Sequence, residues 1–144
     1  MSTKLERRAY GPSSTPAEIA AIKERVSLYS GDIILYRELP VQSVFHLDLF
    51  EERLNELGAG MRCYDLLIDL TEAEFPSGAI RARLKRMFLG QKKLRNIAVF
   101  TGKNFVINTA AKFVLSEPGL RFSVHTQVEQ ALASLRLGSF GRAS

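Results

Sequence analysis

The stretch from Tyr64 to Arg95 constrains the fold of this chain most strongly, because an apolar segment turns there into a basic one. The apolar run at residues 65–70 has Asp65 and Asp69 set into it, which suits a strand buried on both faces of a parallel sheet. Ser77 follows Pro76 at a position typical of a helix cap. Apolar residues then recur at helical spacing, at Ile80, Leu84, Met87, Phe88 and Leu94. The sequence therefore predicts a strand, a turn and a helix in this order.

Apolar runs and amphipathic stripes alternate along the rest of the chain. The further predicted strands cover residues 25–29, 32–39, 96–101 and 121–125. The further predicted helices cover residues 41–57, 104–117 and 126–137, with an alternative helix at 17–24 that begins after Pro16. Ser30 and Gly31 suit the turn of a β-hairpin between the first two strands.

This alternation predicts an α/β fold in a single domain over residues 18–138. We expect a mostly parallel central sheet of about five strands, with an N-terminal β-hairpin at one edge and about four helices. The predicted core residues are Leu66, Ile68, Ile97, Val99 and Val124. Residues 1–17 lack periodicity and predict a flexible arm, and residues 139–144 predict a frayed end.

The composition is that of a globular protein with one core, at 144 residues and 46% hydrophobic content. The lone Cys63 excludes a disulfide within the monomer and suits a reducing compartment. No apolar run approaches the length of a membrane span, and the first ten residues lack the apolar centre of a secretory signal. We therefore expect a cytoplasmic protein.

The net charge of +5 is concentrated in one segment. Residues 81–95 contain seven basic residues and no acid, so the rest of the chain is slightly acidic. Such a run is commonly a solvated helix face, and its only aromatic residue, Phe88, belongs to the apolar stripe. Nucleic acid is therefore an unlikely partner. A weak anionic-surface binder, for nucleic acid or membrane, is kept as the third hypothesis for function.

The sequence contains none of the usual catalytic or phosphate-binding motifs, which favours a protein that is not an enzyme and uses no cofactor. Asp69 follows a buried strand, and we expect it to accept hydrogen bonds from the loop after it. Only two histidines are present, so no histidine-based metal site can be built. We interpret His46 as a histidine on the helix surface or half-buried.

The order of elements, the segment YDLLIDLTEAEF, the Ser77–Gly78 pair and the later NIAVFTG strand together resemble the STAS domains. These domains occur in anti-sigma factor antagonists and in the tails of sulfate transporters. Within the family, the chain is most similar to the SpoIIAA-like branch of bacterial proteins. The resemblance covers about residues 25–137.

The resemblance implies a regulatory module that binds a protein partner. In regulatory STAS proteins the turn reads Asp-Ser-Ser-Gly, and the serine before the glycine is phosphorylated by a kinase that is also an anti-sigma factor. Ser77 before Gly78 matches that serine, which makes Ser77 the candidate phosphoacceptor; Phe75 stands where the family has its acid. The candidate residues for contact with the partner or an anion are Gly78, Arg81, Arg83 and Lys85.

The resemblance also implies a second hypothesis, because the SpoIIAA-like branch is similar to lipid-carrying domains. A small lipophilic ligand would then lie beneath the helix at residues 41–57. Phe45 and Leu49 widen the apolar stripe of that helix and are the candidate ligand contacts. Self-association into a homodimer is a further option.

Overall fold

The computed structural model of the protein describes residues 4–116 and 118–137. Within them, the strands are β1 (Val26–Ser30), β2 (Ile33–Arg37), β3 (Tyr64–Asp69), β4 (Leu94–Phe100) and β5 (Phe122–His125). The helices are α1 (Pro16–Lys23), α2 (Val44–Gly58), α3 (Gly78–Gly90), α4 (Phe105–Leu115) and α5 (Val128–Leu137). The described helices therefore number five, one more than expected, because the alternative helix after Pro16 is present.

The strands form one sheet in the order β1-β2-β3-β4-β5. β1 and β2 are antiparallel, and each later pair is parallel. The prediction of an α/β fold with a mostly parallel sheet and an N-terminal hairpin is confirmed. At the hairpin turn Gly31 has φ of 53°, a left-handed conformation that glycine adopts without strain.

The helices cover the two faces of the sheet unequally. Crossovers between neighbouring parallel strands are right-handed, and the main core accordingly joins α1–α4 to one face. α5 packs on the opposite face, where Leu67 and Ala98 meet Ala131 and Leu135. β3 is thus buried on both faces, as its apolar run predicted.

Four of the five predicted core residues are fully buried on the central strands: Leu66, Ile68, Ile97 and Val99. The fifth, Val124, is only half-buried and packs at the margin of the main core. It lies on β5, which is an edge strand and has a neighbour on one side only.

The basic segment does not form one continuous helix, which corrects the sequence-based expectation. α3 ends at Gly90, and Gln91 has an extended backbone. Leu94, expected on the helix stripe, is the first residue of β4. The last three basic residues of the run therefore lie in the α3–β4 connection and on the strand, and the sheet sets their direction.

The segment before α1 is attached to the domain through Tyr10. The Tyr10 side chain is buried in the main core, and its carbonyl accepts a hydrogen bond of 2.7 Å from the Ser43 hydroxyl. Flexibility of residues 1–17 stays a prediction, and residues 139–144 lie outside the described residues. In the part that the structure describes, no helix has the length and apolarity to cross a bilayer.

Leu66→Ala tests the central position of β3. Leu66 has no exposed surface in the main core, so the truncation should lower the free energy of unfolding by about 2 to 5 kcal/mol. Leu28→Ala is the matched control, because Leu28 is largely exposed on the edge strand β1. Urea denaturation of both variants measures the difference; equal losses would contradict this arrangement of the sheet.

Candidate functional site: a cavity with a buried carboxylate

A cavity lies between the sheet and the pair of helices α3 and α4. Its volume is about 50 Å³, counted as the space open to the centre of a water molecule. Tyr36, Ile68 and Val99 of the parallel strands form its floor. Because parallel strands place their ligand sites beyond their carboxyl ends, a cavity that opens toward the loops after β2 and β3 is in the expected position.

The two helices supply apolar walls. Leu84 and Phe88 of α3 line one side. The α4 side is lined by Ile107, Ala110, Ala111, Val114 and Leu115. Ala110 and Ala111 are both buried, and their small side chains leave space that a larger residue would fill. The cavity therefore follows from small residues at the point where α4 faces α3.

Glu38 forms the polar end of the cavity, and it is only 3% exposed. Its Oε1 accepts hydrogen bonds from the backbone N–H of Leu39 at 2.8 Å and from His46 Nε2 at 2.6 Å. Its Oε2 accepts a hydrogen bond of 3.2 Å from the Tyr36 hydroxyl. Burial raises the pKa of Tyr36 well above its ordinary value, and the adjacent Glu38 adds to this effect, so Tyr36 is a neutral donor.

His46 is held by a second contact that fixes its tautomer. The backbone N–H of Ser43 donates to His46 Nδ1 at 2.8 Å, so this nitrogen carries no proton and Nε2 donates to Glu38. Ser43 Oγ in turn accepts from the His46 N–H, which completes a capping box at the start of α2. The expectation of a surface or half-buried His46 is wrong, because the side chain is fully buried.

The turn that contains the candidate phosphoacceptor is a second site, next to the cavity. Ser77 caps α3, its Oγ accepting from the Ile80 N–H at 3.3 Å. Arg81 donates to the Pro76 carbonyl at 2.8 Å, and its guanidinium lies 5.5 Å from the centre of the Phe75 ring. Gly78 is the first residue of α3. The structure thus brings Ser77, Gly78 and Arg81 together in one turn.

The other two candidate anion contacts, Arg83 and Lys85, are not part of this turn. Arg83 donates to Asp48 and Glu51 of α2 at distances of 2.9 to 3.2 Å. Partial burial lowers the pKa of Arg83, but these hydrogen bonds outweigh the burial, so the pKa is raised overall. Lys85 is half-buried on α3, two residues after Arg83.

Other residues of the basic run are also engaged inside the molecule. Lys93 donates to the Gly58 carbonyl at 3.0 Å, near the end of α2. Arg95 binds Asp65 and Asp32, and these contacts raise its pKa. The positive charge that the sequence concentrates in residues 81–95 is therefore partly neutralised by contacts with other elements.

The remaining sequence-based candidates lie outside the cavity. Phe45 and Leu49 are half-buried and pack against the main core, and neither lines the cavity. Asp69 accepts hydrogen bonds from the backbone N–H and hydroxyl of Thr71 at 2.9 and 2.7 Å. This confirms that Asp69 bonds to the loop after its strand.

Sequence reasoning did not identify Glu38 and the α3–α4 cavity. The available signal for Glu38 was an acid at the end of the apolar β2 run, directly before Leu39 and Pro40. An acid in that position either leaves the sheet for solvent or turns inward to a partner. The choice depends on His46, which is eight residues away and on a different element.

Comparisons of the chain with protein-family models, with curated proteins and with solved structures find no match. The resemblance to STAS domains therefore remains a proposal that rests on the order of elements and the Ser77–Gly78 turn. The geometry of the cavity and of that turn carries the functional proposals below.

His46→Leu tests the buried contact with Glu38. The variant leaves a desolvated carboxylate with one donor fewer, so the free energy of unfolding should fall by about 3 kcal/mol. The double variant Glu38→Gln/His46→Leu should lose less than the sum of the two single losses, because an amide tolerates a missing donor better than a carboxylate. Urea denaturation of the four proteins gives this coupling.

His125→Leu is the control, since His125 is half-buried and its imidazole is hydrogen-bonded only to the Ser123 hydroxyl among the described residues. Its loss should be smaller than that of His46→Leu. Strictly additive losses for Glu38 and His46 would show that the two side chains do not stabilise each other.

Proposed function

We propose that this protein is a non-enzymatic module that binds a small apolar molecule in the α3–α4 cavity. The observation that carries this proposal is the cavity itself, an apolar space that ends at one buried carboxylate. Small-molecule sites commonly combine apolar walls with a few convergent polar groups.

Exposed apolar side chains support access at the start of α4. Phe105 and Val106 are 70% and 65% exposed, and Phe75 in the β3–α3 loop is 59% exposed. The Asn104 side chain donates to the Ala73 carbonyl at 3.0 Å, which joins these two segments. Ala73 lines the cavity as well, so a ligand that entered between the β3–α3 loop and the start of α4 would have to break this hydrogen bond.

This proposal retains the carrier hypothesis but changes the site. The sequence placed the ligand beneath α2 at Phe45 and Leu49, whereas the cavity lies beneath α3 and α4. Its present volume holds only a few water-sized groups. Even a six-carbon chain has more atoms than this volume holds, so its binding would require α3 and α4 to separate.

Ala111→Phe tests the proposed function by filling the cavity. NMR titration with n-hexanol should shift backbone amides of α3 and α4 in the native protein, and these shifts should be lost in the variant. Lys112→Ala is the matched control on the same helix, because Lys112 is exposed. Ala110→Leu is a second filling variant in case the phenylalanine prevents folding.

Hexanol shifts that persist in a folded filling variant would contradict the proposal, as would an absence of shifts in the native protein. Native mass spectrometry of the purified protein provides an independent test. A bound small molecule should be present in the native protein and absent from the filled variants.

A second candidate function is partner binding at the Ser77 turn, as the STAS resemblance implies. It is favoured by the exposure of Phe75 beside Arg81, since aromatic and arginine side chains are enriched at interfaces. A phosphate on Ser77 would lie at the N-terminus of α3, where backbone N–H groups and the helix dipole stabilise negative charge.

Ser77→Asp and Ser77→Ala test this second function. If phosphorylation releases the partner, a protein that co-purifies with the native chain should be lost with Ser77→Asp and retained with Ser77→Ala. Ser77→Asp should leave the free energy of unfolding nearly unchanged, because Asp is a good N-cap. Ser77→Ala should lower it by about 1 kcal/mol. Equal partner binding by both variants would exclude a switch at this turn.

A further inference from the structure

We propose that the cavity selects an apolar molecule that carries an amine, because its buried end is a carboxylate with spare acceptor capacity. This inference rests on the proposed function and adds the chemical class of the ligand. It depends on three observations: the charge balance of the Glu38 network, the free acceptor position on Glu38, and the residues that line the cavity.

The described hydrogen-bond donors to the Glu38 carboxylate include no lysine or arginine. His46 Nδ1 accepts the Ser43 N–H, so Nε2 is the ring nitrogen that donates to Glu38. The other two donors are the Leu39 backbone and the Tyr36 hydroxyl. No lysine or arginine side chain donates to this carboxylate among the described residues, although Arg25 donates to the Glu38 carbonyl at 2.7 Å. A further cation beside the carboxylate would be stabilised.

Glu38 also has room for one more donor. A carboxylate oxygen accepts about two hydrogen bonds. Oε1 has two donors, while Oε2 has only Tyr36 among the described residues. Glu38 is among the residues that line the cavity, and a ligand N–H group that reaches Oε2 would occupy the remaining position. The apolar walls would then surround the hydrocarbon part of the same ligand.

The lining carries acids but no base. Among the described residues, Glu38 and Glu74 line the cavity, and no lysine or arginine does. Arg83 lies close enough to influence Tyr36, but its guanidinium is engaged by Asp48 and Glu51. A fatty acid would place its carboxylate against Glu38 without a compensating cation. The site therefore favours amines over alcohols and disfavours carboxylates.

Three probes with the same hydrocarbon chain test this order: n-hexylamine, n-hexanol and n-hexanoate. NMR titration of the native protein should give a dissociation constant for the amine at least about tenfold below that of the alcohol, with hexanoate weakest. The net charge of +5 would favour the opposite order, so overall electrostatic attraction cannot produce it.

Glu38→Gln should reduce the preference for the amine over the alcohol to about onefold, because it removes the charge and keeps the shape. Glu74→Gln is the matched control, since Glu74 is exposed at the cavity and bound to Arg7; it should leave most of the preference intact. If Glu38→Gln does not fold, the order of the three probes on the native protein decides by itself.

The outcomes separate the two proposals. Binding of hexanol as tight as or tighter than hexylamine in the cavity would overturn the amine inference and leave the ligand-binding function intact. Failure of all three probes to shift α3 and α4 would overturn the proposed function. An amine preference that survives Glu38→Gln would show that Glu38 is not the recognising group.

Discussion

The hydrogen bond between Glu38 and His46 joins the first turn of α2 to the end of β2, where the polar end of the cavity lies. Glu38 follows β2, and His46 lies in the first turn of α2. Through Ser43 the same network reaches Tyr10 in the segment before α1, and through Tyr36 it reaches the sheet. A buried carboxylate requires such a set of donors to offset its desolvation, so the position of α2 and the polar end of the cavity depend on each other.

The charged side chains of the folded protein are not distributed as the sequence suggests. The basic run at residues 81–95 suggests an anion-binding helix, yet Arg83, Lys93 and Arg95 contact acceptors on α2 and at the start of β3. The cavity, in contrast, contains acids and no base among its described lining residues. The net positive charge of the protein is therefore a poor guide to the cavity, whose described charged lining residues are both acids.

The fold was predictable because it depends on short-range pattern. Alternation of apolar runs with amphipathic stripes predicted the sheet, and Ser77 before Gly78 predicted the start of α3. The site was not predictable from the sequence, because it depends on contacts between separate elements. The pairing of Glu38 with His46 joins two elements, and the cavity depends on the separation of α3 from α4 at Ala110 and Ala111. Neither distance is contained in the local sequence.

A crystal structure of the protein with n-hexylamine tests the central claim most directly, because it locates the ligand atom by atom. We expect the hydrocarbon chain between α3 and α4 and the nitrogen about 3 Å from Glu38 Oε2. We also expect the hydrogen bonds from Tyr36, Leu39 and His46 to Glu38 to be retained. An amine bound only at the surface, or α3 and α4 closed over an empty cavity at saturating ligand, would contradict the account.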